Sequence, residues 1–591
     1  MKNSPSWNLS EIYRGAEDPE LYKDLNAAYV RAVSFCLSYK DKIDDTALDA
    51  RTLCSAIKEY ESIHEQGLKP KVFAFLIYSS NTLDNKYQSL FQDVSEKWHK
   101  ILNETAFFIL ELTALPETLL SELASHPCLS DYRHFLLRLI PKKPYTLSLE
   151  EEKIIKTKEL SGKQAFALLY DELIGSLSFP VEINGKIRQS GIDQIRHVLQ
   201  LPDPLLREKT LDIYLHRLGE HEIVFKNIIN ALMLDYHQEE RIRGFSSPMH
   251  NMHLLNEVNE EMIETMMMVT EENYPLIRRY FRTKAELLGL KRLKVSDIFA
   301  PLQEETFHIT FKDATEIVLD ALKGLDPVFY SIASDLFKKK RIDAETRKGK
   351  LNGAFCKCGP PSQAPYISMA YSGNIKDIIT LAHELGHGIH YRLASKQSYL
   401  NFEPRPVIAE TASTFFELVI NAHLLEKDEF QDWKYRLVAS QIEGFYITIF
   451  RQNVLTRFEL SMHNLRRDHR LTGEEISNIW REENYRLFGE TVEITPACKW
   501  GWISIPHFIH LPFYCYSYIF GNLLAIILYQ NYIDYGWNFL EKVIEILSGG
   551  SSRPSIQILN EIGLDPQNRS FWEKAFDYIG RMVDFMEKSK R

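Results

Sequence analysis

Residues that break helices are scarce in this sequence: 26 glycines and 24 prolines stand among 591 residues, against a usual share for the pair of about 12%. Tight turns depend on these two residue types, so most of the chain has to be taken up by long helices. From about Glu20 to Leu123 the sequence is rich in Leu, Ala, Lys and Glu, with apolar positions recurring at helical spacing. The stretch from His126 to Pro144 reads as a break between helical units. A second interruption runs from Phe179 to Ile187, where alternation around Asn184-Gly185 predicts a small hairpin. Helical character resumes near Pro204 and continues to Leu290. The punctuation divides the chain into an N-terminal helical region (1–125), a small connecting lobe with the hairpin (126–200) and a large C-terminal domain (201–591). A chain of this length buries about three quarters of its unfolded surface, so folding as such requires no disulfide or metal.

Lys and Arg total 70 and Asp and Glu 80, a formal charge of −10. A duplex or an anionic membrane surface needs a concentrated basic field, so neither nucleic acid nor membrane is expected as a partner. Seven cysteines, at 36, 54, 128, 356, 358, 498 and 515, are odd in number and scattered. That usage fits a reducing compartment. The N-terminal MKNSPSWNLSEIYRG carries no apolar core of a secretory signal, and a cytoplasmic location is expected. The stretch 501–533 contains no Lys, Arg, Asp or Glu. It does contain Pro506, His507, His510, Pro512, Asn522, Gln530 and five tyrosines, a density of polar groups costly in hydrocarbon. It is expected to be a buried segment lining a cavity rather than a membrane span.

One region departs from the helical pattern. Lys348 to Gly373 is rich in Gly and Pro and ends in the apolar run Tyr366 to Tyr371, which reads as a loop followed by a strand. Asn374 to Leu393 then reads as a helix carrying Ala382-His383-Glu384-Leu385-Gly386-His387. At 3.6 residues per turn His383 and His387 lie on one face and can converge on a single cation. Imidazole nitrogens so placed suit zinc, and Glu384 beside the first of them can accept a proton from water. On a helix this HExxH spacing is a metalloprotease signature. The flanking Ile378, Ile379, Leu381, Leu385 and Ile389 bury the motif, and buried imidazoles and carboxylates need partners.

A third protein ligand is required. Residue 393, six beyond His387, is Leu, and His390 is only three beyond, pointing away from a shared site; it is expected to pack. The segment Val407 to Glu417 supplies Glu410 and Glu417, seven apart and on one face. Glu410 is taken as the ligand, with Glu417 buttressing a histidine N–H from behind.

These motifs resemble the thimet oligopeptidase-like metallopeptidases, and among them the oligoendopeptidase F group. Trp7-Asn8-Leu9-Ser10-Glu11-Ile12-Tyr13 is similar to that group's opening. Arg347 to Lys350, Gly353-Ala354-Phe355, Tyr371-Ser372-Gly373, the HExxH helix, Ala409 to Thr414, Ile505 to Phe508 and Pro512 to Tyr518 follow in the family's order. The resemblance implies a mainly α, two-lobed helical metallopeptidase with a deep substrate channel and a small β-sheet beside the HExxH helix. It implies one zinc ion on His383, His387 and Glu410, and internal cleavage of short unstructured peptides. A developing oxyanion needs donors, and the family places a His and tyrosines where His507, Tyr514 and Tyr518 stand, with Tyr516 as a competitor. The strand at Tyr366 is expected to pair with substrate backbone, and Gly353 to allow its close approach. The alternatives are a dipeptidyl carboxypeptidase-like exopeptidase, an intramembrane zinc protease and a catalytically silent peptide-binding scaffold.

Overall fold

The computed structural model describes residues 4–43, 48–183, 186–302 and 308–588. Helices dominate, as the scarcity of Gly and Pro requires. The chain divides into two compact units, each drawn from three stretches: Met1–Leu149, Phe307–Lys427 and Leu528–Leu564 in one, Glu150–Thr306, Asp428–Ile527 and Asp565–Arg591 in the other.

The first unit opens with three helices, α1 (Pro19–Tyr39), α2 (Ala50–Ser80) and α3 (Asn85–Ala114). Each starts on an aspartate (Asp18, Asp49, Asp84) whose carboxylate accepts N–H groups of the first turn, satisfying donors that lack an intrahelical partner. Their inward faces, including Leu25, Phe35, Ile57, Phe73, Ile101 and Phe108, form one apolar core. Short 3₁₀ turns at Pro127–Tyr132 and Ile140–Tyr145 occupy the break expected after His126.

The same unit holds a three-stranded sheet: β1 (Ile342–Asp343), β2 (Phe355–Lys357) and β3 (Tyr366–Ser368), in the order β1-β3-β2. β3 runs parallel to β1 and antiparallel to β2, with Cys356 opposite Ile367. Asp343 is fully buried, and its carboxylate takes two bonds from Arg347 (2.8 and 2.6 Å) and one from Lys350 (3.0 Å). A buried carboxylate requires such cations, and here they tether the loop leading into β2. After β3, Ser372 and Gly373 (φ +95°) turn the chain into α4 (Ile375–Ala394). Asn374 and Asp377 form a reciprocal cap, and Asp377 also accepts the Ser372 and Gly373 N–H groups at 2.7 and 2.9 Å. α5 (Pro406–Glu426) packs directly on α4.

In the second unit, Phe179–Ile183 and Lys186–Ser190 pair antiparallel, as the alternation suggested; the Asn184-Gly185 turn lies outside the described residues. Its core joins Phe225, Ile229, Phe458, Met462, Trp480 and Trp502. Helix α6 (Arg451–Asp468) runs through this core, and α7 (Cys515–Tyr535) makes up most of the uncharged stretch 501–533. From Ile519 to Leu528 the apolar side chains of α7 are fully buried, which explains the missing charges. Among the described residues no helix is long and apolar enough to cross a membrane.

Candidate active site

His383, Glu384 and His387 sit on α4, and Glu410 and Glu417 on the facing α5. The two helices approach closely because residue 386 is glycine. A Cβ there would stand 2.6 Å from the Ser413 Cα and 2.9 Å from the Ala412 carbonyl oxygen. That contact brings Glu410 over the two imidazoles: its Oε2 is 3.6 Å from Nε2 of His383 and 3.6 Å from Nε2 of His387. Hydrogen bonds are shorter, so three donors face one point without bonding one another. Two ligands about 2.0–2.1 Å from a tetrahedral ion stand roughly 3.4 Å apart, close to the observed spacing. Among the described residues this is the one group of three whose ligand atoms all lie within 4.8 Å of one another.

The opposite ring nitrogens are held as metal-binding histidines require. His383 Nδ1 lies 2.5 Å from Glu417 Oε1, and His387 bonds to the Ala409 carbonyl. Both interactions leave Nε2 for the cation. Burial disfavours a charged His383, yet Glu417, Glu410 and Glu384 outweigh it and push this imidazole up to about 9, whereas burial pushes His387 down to about 4. Glu384 is buried, and its Oε2 has no hydrogen-bond partner among the described residues. Burial pushes its carboxyl up to about 7, with Glu410 and Glu417 adding and His383 opposing. A dense set of acidic and imidazole groups without a compensating cation is an expensive arrangement; the donor set fits a divalent metal of zinc's preference. His390 is buried outside this group, its Nε2 without a hydrogen-bond partner among the described residues.

Cys356, on β2, turns its thiol toward α4. Its Sγ would lie 3.9 Å from a Cβ on Gly388, and Glu384 adds to the burial that holds this thiol far above its usual range. The lone Cys356-x-Cys358 pair, which the sequence gives little reason to read as a metal site, is not part of the His383, His387 and Glu410 group. Asp343 was not singled out from the sequence and is legible only once Arg347 and Lys350 are seen to converge on it.

The expected substrate contacts divide. Gly353 has φ +90° and open space where a Cβ would be, a conformation that favours glycine. Tyr366 is fully buried, edge-on to Trp7 and beneath Arg341, with its hydroxyl on the Asn8 carbonyl. Moreover β3 is the middle strand, so within 366–368 both of its edges are already paired. Of the two edge strands, β1 is flanked by backbone bonds from Asn8 to Lys340 and from Ala344 to Pro5, whereas the outer side of β2 makes no backbone hydrogen bond to a described residue.

In the second unit, His507 and Tyr518 rings lie 5.8 Å apart and Tyr514 and Tyr518 5.1 Å apart, all three partly exposed. Burial, then Arg451 and His510, lowers the His507 pKa, keeping a neutral N–H donor. Tyr516, two residues out of phase, points inward: it is fully buried and its hydroxyl accepts from Asn256 at 2.8 Å and meets His253 at 3.3 Å. Its hydroxyl is therefore spent inside the protein.

Residues 197–578 match the profile of Peptidase family M3, and residues 111–179 a second profile described as Oligopeptidase F. The chain belongs to Peptidase family M3. Members similar to it include Oligopeptidase PepF of Bacillus subtilis (strain 168), 24% identical over all of this chain and 88% of that one. Another is the Oligoendopeptidase F homolog of Lactococcus lactis subsp. lactis, 22% identical over 99% of this chain and 97% of that one. Among solved structures, one from Chlamydophila abortus superposes with a TM-score of 0.83 at 23% identity, covering 99% and 98% of the two chains. Oligoendopeptidase-F from Enterococcus faecium gives 0.71 at 22%, covering 96% and 97%. As an M3 peptidase the chain is a metalloenzyme acting on peptides.

Proposed function

We propose that this M3 peptidase is a zinc-dependent endopeptidase that hydrolyses internal bonds of short unstructured oligopeptides, in the manner that the names of its oligoendopeptidase F relatives describe. The observation that carries the proposal is the convergence of His383, His387 and Glu410 beside a buried carboxylate oxygen of Glu384 that has no hydrogen-bond partner among the described residues. One zinc ion is the proposed cofactor, and His383, His387 and Glu410 would hold it. Bound there, zinc supplies Lewis acidity toward water and a peptide carbonyl.

The chain's own groups supply the rest. Glu384 takes a proton from the attacking water at Oε2 and returns it to the departing amine nitrogen. Glu417 holds His383 in the tautomer and orientation that leave Nε2 free. His507, Tyr514 and Tyr518 are the proposed neutral donors to the oxyanion, as the resemblance implies. The outer edge of β2, behind Gly353, is the proposed place for substrate backbone, because strand addition reads main-chain groups and tolerates varied side chains. The seven free cysteines support a reducing, cytoplasmic setting.

The test is product mapping by mass spectrometry on a peptide blocked at both ends, with and without a chelator. Internal fragments that vanish with chelator are expected. An intact blocked peptide, with dipeptides released from the same peptide once its C-terminus is left free, would favour the exopeptidase reading instead.

A further inference from the structure

Alternation along β2 sends Lys357 to the face opposite Cys356, away from α4 and toward α2 and α3. There its Nζ lies over the Phe75 ring, 5.7 Å from the centroid. Lys71, on α2, approaches the same place: its Nζ stands 4.1 Å over Phe91 and bonds Ser95 Oγ. Phe75 and Phe91 are themselves in contact, with centroids 6.0 Å apart, and Phe75 touches Phe355 on β2 at 5.4 Å. Two ammonium groups thus share one aromatic floor at the side of the edge strand. Both residues are half-buried, and among the described residues no carboxylate pairs with either. Burial, and then the charge of Lys357, push the Lys71 ammonium down to about 8. Like charges held together at a partly desolvated place are unfavourable. Elsewhere in this unit the half-buried Arg347 and Lys350 are neutralised by Asp343.

We propose that Lys71 and Lys357 form an anion subsite that recognises a carboxylate of the peptide substrate, carried by the residue facing them across the open edge of β2. The inference rests on the peptidase reading and on strand addition at β2. In an added strand, a residue opposite Lys357 has its Cβ about 5 Å from that of the lysine, and opposite charges so paired are stabilising. The carboxylate comes either from an Asp or Glu side chain or from the substrate C-terminus. Both present the same two oxygens to the same two ammonium groups. Their rings and stems, which supply apolar floor and walls, make the pairing stronger than on an open surface.

The zinc-loaded full-length protein would be assayed on a set of quenched-fluorescent peptides in which one position at a time is Asp, Asn or Lys, each with a free and an amidated C-terminus. At one position, or at the free C-terminus, the carboxylate form is expected to have a KM about fivefold below its neutral counterpart. The Lys form should be worse than either, and the advantage should shrink as salt is raised. Lys71→Gln and Lys357→Gln each reduce the acidic-over-neutral ratio, and Lys71→Arg restores it. A salt-independent ratio near one at every position and at the C-terminus overturns the subsite, as does a ratio unchanged in both Gln variants. Should no peptide in the set be cleaved in a chelator-sensitive way, it is the peptidase reading that fails. If cleavage is normal but blind to charge, the subsite alone fails.

Discussion

His383 Nδ1 stands 2.5 Å from Glu417 Oε1, one helix away. This contact fixes which imidazole nitrogen is left for the cation, so Glu417 acts on the metal without touching it. Replacing Glu417 with Ala removes an outer partner whose loss in metal sites costs about 10–100-fold in affinity. Competition with a graded chelator should read that loss, and full turnover should return at saturating zinc. Unchanged affinity would mean that the contact has no bearing on metal binding.

Glu384→Gln keeps the size of the side chain and removes its ability to take a proton. The variant is expected to bind zinc normally and to lose about 10²–10⁴-fold in kcat. Stopped assays on a single peptide, paired with elemental analysis of the same sample, check both halves. Normal hydrolysis by this variant would remove Glu384 from the proton transfer.

Glu410→Ala should do the reverse, lowering metal content first and activity only as a consequence. Retention of one zinc per chain after dialysis would move the ligand elsewhere.

Gly386→Ala places a methyl group against backbone atoms of α5, 2.6 Å from the Ser413 Cα. Backbone yields less readily than a side chain, and overpacking costs about 1–3 kcal/mol. A lower midpoint in thermal unfolding, together with weaker zinc binding, is expected. A stable variant with full zinc affinity would show that the helices are free to separate.

Glu459, on α6, is fully buried, and burial pushes its carboxyl from an ordinary 4.5 up to about 8, the Phe513 N–H opposing. The folded state therefore holds a proton that the unfolded chain releases near pH 4.5. The contribution of this group to stability is complete below that pH and declines as pH rises toward 8, by about 1.4 kcal/mol per unit. His463, one turn along, is pushed down to about 3 by burial and stays neutral throughout this window. Denaturant titrations of wild type and Glu459→Gln from pH 5 to 8 should diverge, the variant losing less stability. Parallel curves would contradict the shift.

The sequence made the chemistry legible because the ligands are short-range. His383 and His387 are one turn apart, and the periodicity of Val407 to Glu417 put Glu410 and Glu417 on one face. Long-range pairing was not legible. Nothing local says that Tyr366 belongs to a middle strand, since β3 meets β1 from 25 residues upstream, Ile342 beside Ile367. Tyr516 shows the same limit. Spacing groups Tyr514 with Tyr518, but only Asn256 and His253, some 260 residues away, reveal why the tyrosine between them is occupied. The burial of Ile519 to Leu528 was legible because the polar density of the flanking residues decides against hydrocarbon regardless of fold.

The decisive measurement strips the purified protein of metal, returns zinc in measured amounts and follows hydrolysis of one internally cleaved peptide. No turnover is expected from the metal-free protein, and full recovery at one zinc per chain. Undiminished hydrolysis by metal-free protein would mean that His383, His387 and Glu410 hold no catalytic metal.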